Sequence, residues 1–482
     1  MSEKFFELKD GNASKDYNIV EAIEVKPIKK DVVIIGGGPA GLAVADKLFD
    51  LGIKDIVLFE KEEYLGGVLP QCIHDGFGLT KFGRNITGPE YAQLYISRIL
   101  EKNITAICCA TVMDVYSNNH KKYVSVILPQ GECLYEAKAV VLATGCRERG
   151  RGSLGIPGAR LAGIYTAGSA QAFINLKNLM PGKRVVILGS GDIGLIMARR
   201  LTLEGSEVLC VVEKEPIPGG LRRNVVQCLD DFDIPLHTNS IITNIYGNGR
   251  VEGIEMAASD GSGRKNVSCD TLILSAGLIP ENGVLSTTES GIYVCGNALY
   301  VHGLVDDVSS SGEEVAQAVS AFMGKKDSGL SVANMTDDRK SGNRYAIANI
   351  SETRSRRQAE LREKRLRELE CGYTRTITCI LCPNSCEIDE EFKGGKCEKG
   401  AGYAKAEMAN PTRVLTSSVK VAGRISQLVS VRTTKPISKE KLKEGARSLR
   451  ELEVNPPIHQ GDLICKDFIE DGVDLIATSG LL

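Results

Sequence analysis

Twice in this chain a run of branched aliphatic residues breaks into a Gly-x-Gly-x-x-Gly turn. Each time an apolar helix pattern follows, then a second aliphatic run that ends in glutamate. The first copy is Asp31-Val-Val-Ile-Ile, then Gly36-Gly37-Gly38-Pro39-Ala40-Gly41, a helix pattern from Leu42 to Leu51, and Ile56-Val-Leu-Phe before Glu60. The second is Arg184-Val-Val-Ile-Leu, then Gly189-Ser-Gly191-Asp192-Ile193-Gly194, a helix through Leu203, and Glu207-Val-Leu-Cys-Val-Val before Glu213. In such a turn the first glycine permits the sharp bend, the second lets the backbone approach a pyrophosphate, and the third lets helix and strand pack closely. The helix N-terminus then offers unpaired N–H groups and a partial positive charge to phosphates. A carboxylate about 20 residues past the glycines is placed to hold ribose hydroxyls.

Short Val/Ile runs, Gly turns and amphipathic helices alternate from Asp31 to about Lys325, which predicts an α/β fold with parallel sheets. The expected architecture is two Rossmann-like dinucleotide-binding domains plus a small C-terminal cysteine domain. The expected division is an N-terminal arm at 1–30, a first domain at 31–155 and 270–325, and a second domain inserted at 156–269. A charged linker would follow at 326–371 and a four-cysteine domain at 372–482. The linker holds a helix candidate, Ser351 to Leu369, with Glu360–Lys364 and Glu363–Arg367 at i,i+4 spacing.

With 43% hydrophobic and 25% charged residues the chain can bury real cores. A formal net charge of −2 gives no electrostatic footprint for nucleic acid, and with no Trp and 5% aromatics there is no base-stacking platform. The N-terminus has no apolar core of a signal peptide, and no run reaches the roughly 18 apolar residues of a membrane span. Fifteen cysteines in such a chain read as reduced thiols plus a metal or cluster site, which places the expectation in the cytoplasm.

Two cradles imply two dinucleotides, and the useful chemistry between them is hydride transfer across about 3–3.5 Å. Glu213 would accept both hydroxyls of an unphosphorylated ribose and repel a 2′-phosphate, favouring NAD(H) over NADP(H). Arg222 and Arg223 pull the other way, since they are able to receive a phosphate.

Further stretches carry a family resemblance: Gln71-Cys-Ile-His74-Asp-Gly-Phe-Gly78, Ala139-Val-Val-Leu-Ala-Thr144-Gly145, Cys146-Arg-Glu-Arg149, Pro280-Glu-Asn and Gly291-Ile-Tyr-Val-Cys-Gly296-Asn297. Over about Lys30 to Phe322 the chain resembles the thioredoxin-reductase-like flavin oxidoreductases. Within them it is most similar to the NADH-oxidase-like component encoded with glycerol-3-phosphate dehydrogenases and to the sarcosine oxidase alpha subunit. The resemblance implies FAD on Gly36, Gly38, Pro39, Ala40, Gly41, Glu60, Lys61, Gly67, Ala143, Thr144, Gly145, Gly296 and Asn297. It implies NADH on Gly189, Gly191, Asp192, Ile193, Gly194 and Glu213. It also implies a hetero-oligomer with a second flavoprotein that oxidises glycerol 3-phosphate, no polyol site being evident in this chain. Two departures stand out. Asn297 replaces the family's usual Asp, and only ten residues separate Pro280 from Gly291.

Neither of the dithiol pairs used by such reductases is present, so dithiol reduction is not expected. Cys72, His74 and Cys146 remain as candidate flavin neighbours, the thiols for redox work or as small buried hydrophobes, the imidazole as a proton relay or a structural ring. Cys379, Cys382, Cys386 and Cys397 give the spacing C-x2-C-x3-C-x10-C among turn-forming residues. Three packed thiolates and a distant fourth suit a 4Fe–4S or 2Fe–2S cluster better than the paired knuckles of a structural zinc, which stays as the alternative. The expected enzyme passes electrons between NADH, FAD and that cluster. Its rivals are a stand-alone NADH oxidase with a zinc tail and a non-catalytic cofactor-binding scaffold.

Overall fold

The aliphatic runs that flank the two glycine turns are buried on both faces, as central parallel strands must be. Val32, Val33 and Ile34 have no exposed surface, and neither do Val185, Val186 and Ile187. The computed structural model describes residues 4–7, 18–21, 26–287, 289–327 and 376–481. The charged helix expected over Ser351 to Leu369, with its two ion pairs, lies outside them.

The first domain is built on a seven-stranded sheet. Thr105–Ile107, Ile56–Phe59, Ile28–Ile35, Gly131–Leu142 and Ile292–Val294 run parallel, in that spatial order. The long strand Gly131–Leu142 also pairs antiparallel with Lys121–Leu128, which pairs in turn with Thr111–Asn118. The helices Pro39–Asp50, Gly88–Glu101 and Val305–Asp327 cover the sheet through Leu42, Tyr91, Tyr95, Val315 and Val319. The short segment after Pro280 crosses the edge of the meander, with Val115 and Val284 joined by a backbone hydrogen bond and Ser286 Oγ donating to Asp114 at 2.6 Å.

The second domain has five parallel strands in the order Ile164–Thr166, Thr271–Leu274, Arg184–Leu188, Glu207–Val212 and Leu236–His237. A three-stranded antiparallel sheet, Ser240–Asn248 to Lys265–Ser268, packs Ile242, Ile245 and Ile254 on one face of it. Two expected boundaries shift. The inserted domain extends past 269, because Thr271–Leu274 is one of its inner strands. The crossing back falls at Leu278–Pro280, which pairs antiparallel with the outgoing strand Cys146–Glu148. The arm at 1–30 is not purely an arm either: Lys4–Glu7 pairs with Asn18–Glu21, and Ile28 already belongs to the main sheet.

The C-terminal part holds more structure than its cysteines suggested. A small module pairs Ile377–Thr378 with Glu387–Ile388 and adds the helix Lys399–Ala409. Beyond it, Thr416–Val421 and Arg424–Thr433 form the centre of a five-stranded sheet, backed by the helix Leu442–Glu451. Val419, Val429, Ala446 and Leu449 join Ala198, Leu201 and Val225 in one core shared with the second domain. The core of the C-terminal part is thus completed by a neighbouring domain.

Arg413 is the polar bolt of that union. It donates to Asp231 of the second domain at 2.6 and 2.9 Å and to Glu407 at 2.8 and 2.6 Å, and its side chain is 2% exposed. Arg413→Ala would strand two carboxylates and is expected to cost about 3–5 kcal/mol, read as a lowered urea midpoint. Burial alone would raise the Glu407 carboxyl, but its hydrogen bonds and charge contact with Arg413 bring it below its ordinary 4.5. A depressed folded pKa contributes stability above the unfolded value that is lost as pH falls through the folded one. The wild-type midpoint is thus expected to drop on acidification below 4.5, with Glu407→Gln removing part of that dependence.

Candidate functional site

Each glycine turn folds as a backbone-on-backbone contact. Gly36 has φ +107°, and a Cβ there would stand 2.4 Å from the Ala143 carbonyl oxygen. Gly189 has φ +99°, with Ser275 O at 2.1 Å from such a Cβ. Both turns are therefore closed from behind by the strand that leaves the same sheet. In front they are open. A Cβ on Gly191 would meet nothing within 4 Å, and one on Gly38 only Gly67 Cα at 3.8 Å. The helices Pro39–Asp50 and Asp192–Leu203 begin there with no side-chain cap, so their first N–H groups are left for a phosphate.

The two acids are locked by one design. Glu60 Oε2 accepts from Gly37 N at 2.8 Å and Oε1 from Glu62 N at 2.9 Å. Glu213 Oε2 accepts from Ser190 N at 2.9 Å and Oε1 from Glu215 N at 2.9 Å. Both are buried, at 5% and 9% exposure, so each carboxylate is aimed at its turn before any ligand arrives. Thus Gly36, Gly38, Pro39, Ala40, Gly41, Glu60 and Gly67 come together at one cradle, and Gly189, Gly191, Gly194 and Glu213 at the other.

The far wall of the first cradle comes from the chain's later return. Ala143 N donates to Ile35 O, Thr144 Oγ1 donates to the Glu281 carbonyl, and Glu281 N donates to Gly145 O. Gly296 lies over Ala40, and Gly312 of the helix Val305–Asp327 abuts the Ala40 carbonyl. Asn297 accepts from His302 N at 2.9 Å and contacts His302 Nδ1 at 3.1 Å through its carbonyl oxygen. Asn297 also hydrogen-bonds the Cys146 side chain.

These two geometries decide the family. Residues 30–307 match the family described as Pyridine nucleotide-disulphide oxidoreductase. The chain belongs to it. Membership implies FAD and NAD(P)H for the two cradles, and their open, uncapped turns fit dinucleotide pyrophosphates. Residues 398–479 match a second family, described as a protein of unknown function (DUF1667). The chain is 25% identical over 320 residues to one of the subunits of opine oxidase from Agrobacterium tumefaciens, covering 57% of this chain and 62% of that protein. It is 28% identical over 272 residues to an NAD(P)H sulfur oxidoreductase (CoA-dependent) of Pyrococcus abyssi, covering 54% and 56%. The chain thus spans about three fifths of the length of these relatives. A thioredoxin reductase of Lactococcus lactis shares the fold at TM-score 0.51 and 19% identity, over 61% of this chain and 99% of that structure. Among the described residues no helix is long and apolar enough to cross a membrane.

Between the FAD and NAD domains lies a cleft lined by His74, Thr80 and Asp306 on one side, Asp192 and Arg223 on the other, and Pro383 of the cysteine module. Asp306 is buried; its Oδ2 accepts from Thr80 N and Lys81 N at 2.8 and 3.0 Å, while Oδ1 has no partner. This carboxylate was invisible in the sequence, where it stands among ordinary acidic helix-start residues.

The side chains of the remaining expected site residues have protein partners of their own. Lys61 is exposed and pairs with Glu62. Asp192 accepts from Leu221 N and Asn224 Nδ2, both at 2.7 Å, and so braces the loop above the NAD turn. Ile193 packs into the shared core. Arg222 lies near Glu387 at 3.7 Å, and Arg223 is buried against Gly76 with its backbone N–H on Ser385 Oγ. The structure therefore turns both arginines toward the cysteine module and the FAD domain.

The candidate flavin neighbours Cys72, His74 and Cys146 are part-buried. Burial pushes the Cys72 thiol up to about 12, and Sγ lies 3.7 Å from Gln171 Oε1 of the NAD domain. Burial also raises Cys146 to about 11, opposed by a hydrogen bond with Asn297. Both shifts favour the protonated thiol. His74 is held down to about 4, chiefly by burial; Asp75 opposes the shift, and the charges of Arg223 and Arg199 add to it. The shift favours the neutral ring, with one nitrogen to donate and one to accept.

The four C-terminal cysteines share one module. Cys379 N donates to Cys386 O at 2.8 Å, and Lys396 N donates to Cys386 Sγ at 3.5 Å. Cys379 is raised by burial and then by the negative charge of Cys382, Cys386 and Cys397. The thiols are neighbours, yet among the described residues no three His, Cys, Asp or Glu side chains are gathered to hold a metal ion.

Gly36→Val must clash with Ala143 and is expected to yield protein purified without flavin, read from the visible spectrum. Cys72→Ala is expected to keep flavin content and the rate of flavin reduction within about twofold, checked by stopped flow, because a protonated buried thiol does no redox work.

Proposed function

We propose that this chain takes hydride from NADH onto FAD and passes electrons through an iron–sulfur cluster on Cys379, Cys382, Cys386 and Cys397. We place it in a complex with a second flavoprotein of the glycerol-3-phosphate dehydrogenase type. The observation that carries the reading is the cleft where both dinucleotide domains meet the Pro383 turn of the cysteine module. That cleft is lined by residues of both dinucleotide domains, Asp192 at the start of the second cradle's helix among them, and hydride transfer needs the two domains to face one another in this way. FAD, when bound, would supply the exchange between a two-electron donor and one-electron acceptors.

The chain's own residues do the positioning. Glu60 and Glu213 fix the riboses, and the uncapped helix starts bind the pyrophosphates. NADH is favoured over NADPH because Glu213 is buried and preset, while Arg222 pairs with Glu387 and Arg223 packs against Gly76 of the first domain. Four thiols within one short module are a donor set suited to iron–sulfur or zinc, and the three-plus-one spacing favours iron. Lys396 N–H on Cys386 Sγ is the kind of contact that steadies a ligating sulfur. The opine oxidase relative is by its name one part of a larger enzyme, which supports a complex here.

The test is an anaerobic absorbance spectrum before and after NADH, with iron and zinc counted on the same sample. Flavin bleached by NADH together with bound iron is the expected result. Flavin that stays oxidised overturns the enzyme in favour of a scaffold, and zinc alone overturns the cluster in favour of a stand-alone oxidase. Glu213→Ala is expected to raise KM for NADH roughly ten- to hundredfold, the loss of one or two hydrogen bonds to a charged group, with a far smaller effect for NADPH.

A further inference from the structure

Along the later turns of the helix Asp192–Leu203 runs a small cavity of about 30 Å³, part of it open to solvent. Three parts of the molecule line it: His74 and Asp75 from the FAD domain, Arg199, Arg200 and Arg223 from the NAD domain, and Thr416 from the C-terminal sheet. The arginines differ in what they have to do. Arg200 is fully engaged, donating to Asn175 Oδ1 and Ser417 Oγ at 2.8 Å and pairing with Glu204 at 2.8 Å. Arg199 gives one nitrogen to the Val414 carbonyl at 3.0 Å, and its Nε has no partner. Arg223 Nε has none either. Both side chains are in residues more than nine-tenths buried, at 8% and 7% exposure.

A buried guanidinium with unmet donors is costly unless an anion meets it. The carboxylate lining this cavity, Asp75, already accepts from Asn85 Nδ2 at 2.7 Å. The two glycine turns contribute nothing to the lining, so a dinucleotide pyrophosphate is not the occupant.

We propose that this cavity binds a small oxyanion, a carboxylate or a phosphate group, gripped by Arg199 and Arg223. Guanidinium forks match such planar or tetrahedral oxyanions with paired hydrogen bonds. The neutral His74 ring stands beside them as a further hydrogen-bonding group. The cavity shares His74, Asp75 and Arg223 with the cleft between the FAD and NAD domains. A molecule anchored here by its acid group reaches that cleft with its other end. The site is therefore suited to the anionic end of a substrate or effector of the redox centre, and it can be lost without loss of either cradle.

The experiment is isothermal titration calorimetry on the full-length, FAD-loaded protein, with inorganic phosphate and acetate as separate titrants and ionic strength held constant with chloride. Saturable binding of at least one is expected, weakened about tenfold or more in Arg223→Gln and in Arg199→Gln. Arg223→Lys, which keeps the charge and loses the fork, is expected to fall between. Arg264→Gln, at an exposed guanidinium paired with Glu255, is expected to bind as the parent does. Flavin content and the urea midpoint establish that each variant is folded. Binding of phosphate alone identifies a phosphorylated ligand and of acetate alone a carboxylic acid. The absence of saturable binding by either, or folded arginine variants that bind as tightly as the parent, overturns the site while leaving flavin reduction by NADH untouched.

Discussion

The helix Asp192–Leu203 is the member on which the rest of this molecule depends. Its uncapped start faces the second glycine turn, and its apolar face closes the core shared by the NAD domain and the C-terminal sheet. Its buried arginines then reach outward, Arg199 to the Val414 carbonyl and Arg200 to Ser417 and Ser418. A charged side chain pays the desolvation cost of such a position only where many fixed acceptors surround it, and Arg200 has them. One helix thus sets the phosphate cradle, the docking of the C-terminal domain and the wall of the arginine-lined cavity.

That arrangement couples parts of the chain far apart in sequence. Arg432 of the C-terminal sheet contacts Glu90 at 3.3 Å, and Glu90 is also the capping-box acid of the FAD-domain helix Gly88–Glu101. Asn175 of the NAD domain donates to Gln71 O at 2.8 Å while accepting from Arg200. The loop that carries Cys72 and His74 is therefore held by both neighbours. This explains why those residues are part-buried, and why the shifts of Cys72 and His74 favour neutral forms.

The cradles are legible in advance because they are local. Strand, turn, helix and acid follow one another within about thirty residues, and each residue type answers a need of its own turn. Proximity in sequence misleads where it stands in for proximity in space. Arg222 and Arg223 follow Glu213 closely, yet they face the cysteine module and the FAD domain. Sequence order alone puts Thr271–Leu274 in the wrong domain, because a strand run carries no mark of which sheet will accept it. Asp306 and Arg199 give no signal as a site, since an acid or a base on a helix is solvated in most contexts and only burial makes it otherwise.

By itself the sequence determined the two dinucleotide folds, the positions of their phosphate turns and the acids that serve them. Those follow from backbone sterics and short-range hydrogen bonding, which a dozen neighbouring residues settle. Only the tertiary structure decided which way the Cys72 and Cys146 thiols and the His74 ring are shifted, and that two arginines share a cavity with that ring. These are matters of desolvation and of charges brought together from three domains, and no local stretch of chain contains them.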